Sequence, residues 1–232
     1  MLLDYAIRPL LRWTVGPCHP RGHKILEASI VKIQQIYGKK FDLLVCYNNT
    51  SKPQLNVQGV NYYKQTDQHN MFKITPGAVQ GTAWKLCPPR LRMVAHEIII
   101  DNDVIFYDKI AQIDNFLISK HLLGFKARHR GYSNNTTERF YVRENLLLNS
   151  GLIGLPPYFD FAKELRNKYD NQPLGRLDEQ GLVASVFNDH QHKLIGFETM
   201  SPIGHEEESV VKKGIVHFIG ANTANHHKAW DK

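Results

Sequence analysis

Cysteine is scarce in this 232-residue chain: Cys18, Cys46 and Cys87 stand far apart, with no Cys-x-x-Cys pair among them. That argues against structural zinc and a disulfide framework, and it points to reduced thiols in a cytosolic setting. No run approaches the ~18 apolar residues of a membrane span. Met1 to Arg12 is interrupted by Asp4, Arg8 and Pro9 and does not read as a signal peptide. The expectation is a cytoplasmic chain with at most peripheral contact at the inner face of a membrane. In that setting the Asn-x-Ser/Thr matches near Asn48 and Asn135 carry no weight. Internal repeats, low-complexity stretches and linkers are also lacking, so residues 1–232 read as a single domain.

Lysine and arginine number 29 against 22 acidic residues, a formal net charge of +7. A positive field favours anionic partners such as nucleotides and phosphorylated glycans. The cations are scattered, with only short clusters such as Arg128-His129-Arg130, and no nucleic-acid-binding motif accompanies them. A nucleic-acid partner is therefore not expected.

Apolar runs alternate between the two periods of regular structure. Leu10–Gly16 reads as a strand, and Ile25, Ala28, Ile30, Val31, Ile33 and Ile36 space a helix over His23–Tyr37, which Gly38 stops. Phe41–Cys46, Val60–Tyr63, His96–Ile100, Val104–Tyr107, Leu122–Arg128, Leu152–Leu155, Leu194–Glu198 and Ile215–Ile219 read as strands. Trp84–Met93, Phe159–Tyr169 and Asp178–Phe187 read as helical, the first broken by Pro88-Pro89 and the last opened by Asp178 as an N-cap. Such alternation implies an α/β fold with one mostly parallel sheet flanked by helices, and ligands at the carboxyl ends of its strands.

Chemistry concentrates at Glu97-Ile98-Ile99-Ile100-Asp101-Asn102-Asp103, where an apolar strand ends in two carboxylates at i and i+2. In extended backbone these point the same way. Two hard oxygens at a strand end suit Mg²⁺ or Mn²⁺, and a cation there would neutralise charge growing on a diphosphate leaving group. Asp and Asn also end strands simply because they make turns. Asn149-Ser150-Gly151 is a small polar step, the kind that lets a ligand approach backbone, or else an ordinary turn. Asp178-Glu179-Gln180 puts acid and amide groups at a helix start, where a capped acidic turn would look the same. His217-Phe218-Ile219-Gly220 follows an apolar run, and Lys228-Ala229-Trp230 lies near the end of the sequence.

The order of these pieces resembles the retaining glycosyltransferases of the glycogenin and lipopolysaccharide galactosyltransferase type, glycosyltransferase family 8. The matching steps are Thr82-Ala83-Trp84-Lys85-Leu86, Ile98–Asp103, Asn149-Ser150-Gly151, Glu179-Gln180, His217–Gly220 and Lys228-Ala229-Trp230, spread over roughly residues 10 to 230. Counted as five motifs, with His217–Gly220 and Lys228-Ala229-Trp230 taken together, these loose steps in order carry more than any one alone. The resemblance implies a GT-A fold and transfer of a hexose from a nucleotide-diphosphate sugar, with UDP-sugars foremost, to a glycan or glycolipid. It implies Mn²⁺ or Mg²⁺ held by Asp101, Asp103 and His217. Donor contacts would come from Lys85, Asp101, Asn102, Asn149, Ser150, Gly220 and Lys228, and the reacting carbon would lie near Gln180, with Glu179 or Asp178 beside it. Where family members have an acidic nucleotide-binding loop after the first strand, this chain has Val15-Gly16-Pro17-Cys18.

Two enzyme alternatives stay open. An inverting GT-A enzyme needs a carboxylate base, and Asp160, Asp178 and Glu179 are available. A nucleotidyltransferase also uses paired carboxylates with metal, but it wants a Gly-rich basic loop where this chain has Gly16-Pro17-Cys18-His19-Pro20.

Overall fold

The computed structural model describes residues 7–16, 18–48, 52–66, 71–73, 80–128, 139–175, 177–204, 206–221 and 227–231. Its first strand, β1 (Leu10–Val15), turns Leu11, Trp13 and Val15 into one apolar cluster. Arg12 and Thr14 take the opposite face, the two-residue alternation of extended backbone. β1 pairs in parallel with β2 (Asp42–Asn48) and β4 (Glu97–Asp101), and β2 pairs in parallel with β3 (Asn61–Gln65). β7 (Leu148–Leu155) lies antiparallel between β4 and β6 (Leu122–Lys126), and β8 (His192–Ile195) pairs in parallel with β6. The order is β3-β2-β1-β4-β7-β6-β8, so β7 alone runs against the other six.

Helix α1 (Pro20–Tyr37) buries Ile25, Leu26, Ser29, Ile30, Ile33 and Tyr37. It starts three residues before the expected His23, because Pro20 has its φ pre-set for a first turn and the His19 side chain accepts from Arg21 N. Gly38, at φ 56, ends it as expected; that left-handed turn suits a residue without Cβ. Ser29 ties α1 to the sheet, accepting from Trp13 Nε1 (3.0 Å) and donating to Val104 O (2.6 Å).

The apolar pattern does not reveal a second sheet. β5 (Val104–Phe106), β9 (Met200–Ile203) and β10 (Ile215–Phe218) form a separate three-stranded sheet in the order β5-β10-β9. β10 is antiparallel to β5 and parallel to β9. The expectation that Ile215–Ile219 joins the main parallel sheet is corrected here: a four-residue apolar run carries its own period but no record of its partner. The expected helix at Trp84–Met93 is also displaced. α2 (Gln80–Ala83) continues only as a 3₁₀ turn over Trp84–Leu86, and Pro88-Pro89 cannot extend it. α3 (Ala111–Phe116) lacks an apolar run long enough to show in the sequence. α4 (Phe161–Lys168), α5 (Asp178–Asp189) and the short α6 (Lys228–Asp231) complete the helices among the described residues, and no described helix is long and apolar enough to cross a membrane.

Candidate active site

β4 ends at Asp101, and the two-residue turn Asn102-Asp103 delivers the chain to β5. Asp101 therefore closes the main sheet while Asp103 opens the small one. β10 runs beside β5, with His217 opposite Val104 and Phe218 N donating to Asp103 O at 2.8 Å. This antiparallel register, rather than adjacency of parallel strand ends, carries His217 to the paired aspartates. His217 Nε2 lies 3.2 Å from Asp103 Oδ1 and 3.9 Å from Asp101 Oδ2. One ligand atom from each of the three residues lies within 4.8 Å of the others.

These donors fit a divalent cation. Buried His217 Nδ1 finds no hydrogen-bond partner, and buried Asp103 Oδ1 meets only His217 Nε2, at 3.2 Å, an unusual condition for polar atoms shut from water. Gly151 makes room: a Cβ there would stand 2.6 Å from His217 Cε1 and 2.9 Å from its Nδ1. Burial favours a neutral imidazole at His217, but Asp103 and Asp101 outweigh it and hold the pKa above the ordinary histidine value. A cation among these groups would answer the same demand for positive charge, with the imidazole deprotonated. Two carboxylates and one imidazole suit Mn²⁺ somewhat better than Mg²⁺.

Lys85 stands behind Asp101. Its ammonium, almost wholly buried, lies 2.7 Å from Asp101 Oδ1 and 3.9 Å from Glu179 Oε1, and donates to Ser150 O and Oγ at 3.3 Å each. Burial alone would lower its pKa; Asp101 and Glu179 prevail and raise it. Burial pushes the Glu179 carboxyl up, against the pull of Lys85. Reversed β7 begins, rather than ends, at this edge of the sheet, so Asn149 and Ser150 come from its first turnings. Ser150 N donates to Gln180 Oε1 (3.2 Å), Ser150 Oγ to Glu179 Oε1 (3.4 Å), and Gly151 N to Asn149 Oδ1 (2.8 Å). Glu179 Oε2 remains buried without a partner.

The structure thus brings together Lys85, Asp101, Asp103, Asn149, Ser150, Glu179, Gln180 and His217. Asn102 is buried in the turn between the aspartates. Asp178 faces elsewhere: its Oδ2 accepts from Arg139 Nη1 (2.5 Å) and Gly175 N (2.7 Å). It is not the N-cap of α5, a place taken by Leu177 in left-handed backbone with no side-chain cap. Arg139 also grips Asp170 through both oxygens, so Asp178 belongs to a fastening of the α5 N-terminus. Gly220 turns the chain after β10 at φ 81. Lys228, which opens α6, pairs with the exposed Glu206 at 3.2 Å. His227 is buried, its ring edge-on to Phe218; His226, His129 and His205 lie outside the described residues.

No family model matches the sequence, and no curated protein matches it either. The fold, however, is shared with solved structures. A galactosyltransferase, LgtC, determined with donor and acceptor sugar analogs, aligns over 95% of this chain and 91% of its own, with a TM-score of 0.64 at 10% identity. Mouse xyloside xylosyltransferase 1, in its apo form, aligns over 94% of this chain and 100% of its own (TM-score 0.58, 10% identity). The WbbM bifunctional glycosyltransferase, also apo, aligns over 95% of this chain and 47% of its own (TM-score 0.61, 11% identity). The architecture is the GT-A fold expected from the motif order.

Proposed function

We propose that this chain is a metal-dependent glycosyltransferase that moves a hexose from a nucleoside diphosphate sugar, UDP-sugars foremost, to a glycan or glycolipid. The observation that carries the reading is the convergence of Asp101, Asp103 and His217, from two different sheets, in a fold shared with glycosyltransferases. Mn²⁺ or Mg²⁺ would be held by these three side chains and would supply Lewis-acid stabilisation to a departing diphosphate.

The remaining residues act around that centre. Lys85 keeps its proton and holds Asp101 Oδ1, leaving Oδ2 turned to the shared site. Ser150 and Lys85 position Glu179, whose unpartnered Oε2 is available to a sugar hydroxyl. Gln180 is oriented by Ser150 N at the start of α5, where the helix dipole favours negative charge. Asn149, Asn102, Gly220 and Lys228 are read as donor contacts from the motif order alone. Asp178 positions α5 through Arg139.

Retention is the outcome that the motif order implies. Of the carboxylates that inversion could recruit, Asp160 caps α4 and Asp178 is held by Arg139, so an inverting reaction would have to use Glu179 beside Lys85 as its base. The test is a screen of nucleotide sugars for hydrolysis and transfer with Mn²⁺ and with Mg²⁺, with product anomers read by NMR. Metal-dependent release of nucleoside diphosphate is expected. Release of pyrophosphate instead would replace this reading with a nucleotidyltransferase.

A further inference from the structure

Large hydrophobic side chains scattered singly over a surface are ordinary; gathered at one place they mark an interaction site. Five of the nine that are exposed among the described residues lie at one end of the main sheet: Ile7, Met93, Val94, Ile118 and Tyr158. Ile7 precedes β1, Met93 and Val94 precede β4, Ile118 precedes β6, and Tyr158 follows the reversed β7. The topology therefore brings all five to the end opposite Asp101. Ile118 is 87% exposed and Tyr158 75%. Ile7, Val94 and Ile118 also line a cavity of about 410 Å³ with Ala95, Leu117 and Pro157.

This end is braced in its exposed form. Arg90 donates to Arg92 O, Met93 O, Ala95 O and Phe159 O, and Tyr158 N donates to Met93 O (2.7 Å), which ties the 92–95 loop to the turn after β7. Tyr158 is held at φ 63, left-handed backbone that is costly for a residue with a Cβ, and its side chain stands in solvent. Cations flank the patch: Arg8, Lys39, Lys40, Arg92, Lys109 and Lys120, against Asp42, Asp114 and Asp160. Asp42 is shared by Arg8 and Arg92, and Asp114 by Lys40 and Lys109, so positive charge is left in excess. A second copy docked on the same face would set these cations against themselves. An anionic bilayer would meet them with opposite charge, take the aliphatic side chains below its headgroups and hold a tyrosine at its interface.

We propose that this end of the main sheet docks on an anionic lipid bilayer, with Ile118 and its apolar neighbours inserted and the flanking lysines and arginines on the headgroups. The cluster of Asp101, Asp103 and His217 lies one length of β4 away, about 17 Å at ~3.3 Å per residue, so docking leaves the candidate active site open to solvent. The proposal does not rest on the transferase reading, and its test is independent of it.

The experiment is co-sedimentation of the full chain with sucrose-loaded vesicles, made of phosphatidylcholine alone or of phosphatidylcholine and phosphatidylglycerol in equal parts. It compares wild type, Ile118→Ser, Lys39→Ala and Lys64→Ala, with melting temperatures of each. Wild type should pellet with the anionic vesicles, stay in solution with phosphatidylcholine alone, and be released by salt. Ile118→Ser should bind about tenfold more weakly, the loss of one inserted side chain. Lys39→Ala should bind about fivefold more weakly, the loss of one cation at the headgroups. Lys64 is exposed near the carboxyl end of β3, at the other end of the sheet, and Lys64→Ala should bind as wild type does. All three side chains are exposed, so the variants should melt with wild type. Wild-type binding by Ile118→Ser, or an equal loss in Lys64→Ala and Lys39→Ala, would overturn the proposal and leave only attraction by the net charge of the chain. Wild type that pellets with neither vesicle would also overturn it. A wild-type dimer in sedimentation equilibrium that Ile118→Ser dissociates would then assign this end to a second copy.

Discussion

The two ends of β4 each carry a carboxylate facing a buried cation, and they are built to opposite purposes. At the first end, Glu97 Oε1 meets Arg12 Nε at 2.7 Å, with both side chains wholly buried. Glu97 Oε2 accepts from Leu91 N and Arg92 N, while Arg12 Nη2 donates to Pro88 O and Pro89 O. That network clamps the 88–92 loop to the sheet, and among its polar atoms only Arg12 Nη1 lacks a partner. At the other end, Asp101 meets Lys85, but Glu179 Oε2 and His217 Nδ1 are left over, and Asp103 Oδ1 has only His217 Nε2 at 3.2 Å. A buried ion pair with its capacity used up is architecture. One surrounded by unmet demand is a place for a ligand.

The sharpest way to break this comparison is Glu97→Ala. It strands a fully buried guanidinium and should cost about 3–5 kcal/mol, read by urea denaturation. A loss under about 1 kcal/mol, the scale of an exposed pair, would mean that the clamp is not structural. Asp103→Ala should do the reverse. It should abolish metal-dependent UDP binding, weakening it more than the 10- to 100-fold typical of losing a metal ligand's outer partner. The melting temperature should stay level or rise as repulsion from Asp101 is relieved. A fall in stability like that of Glu97→Ala would erase the distinction between the two ends.

Two smaller effects sharpen it. Gly151→Ala drives a methyl into the His217 ring and should cost about 1–3 kcal/mol, with Mn²⁺ affinity falling more than Mg²⁺ affinity if the imidazole is a ligand. Equal weakening of the two metals would remove His217 from the set. Arg8→Ala tests proximity without burial. Arg8 pairs with Asp42 at 2.6 Å, near the Glu97 end but half-exposed, and Asp42 keeps Arg92. The loss should be at most about 1 kcal/mol, and a larger one would make the whole end of the sheet, not its buried pair, the structural element.

Much of this was legible in the residues. α1, β1, β2 and β4 follow from apolar spacing, and Asp101 and Asp103 from an apolar run that stops at two acids. The motif order anticipated Lys85, Ser150 and His217 in one place. What the sequence concealed was pairing at a distance. Val104–Phe106 follows Asp103 directly and looks like a continuation of β4, yet its partner β10 begins at Ile215. Arg12 is a lone cation inside an apolar strand, a signal that could have prompted a search for a buried acid. Asp178 read as a cap because acids favour helix starts, and only the fold discloses that Arg139, far earlier in the chain, has claimed it.

The contact between Gly151 and His217 reaches beyond either residue. A side chain at position 151 and an imidazole at position 217 compete for one volume, so a change at one position is felt at the other. Giving up the histidine alone does not free the place, since Asn149 Oδ1 would still stand 2.8 Å from a Cβ at position 151.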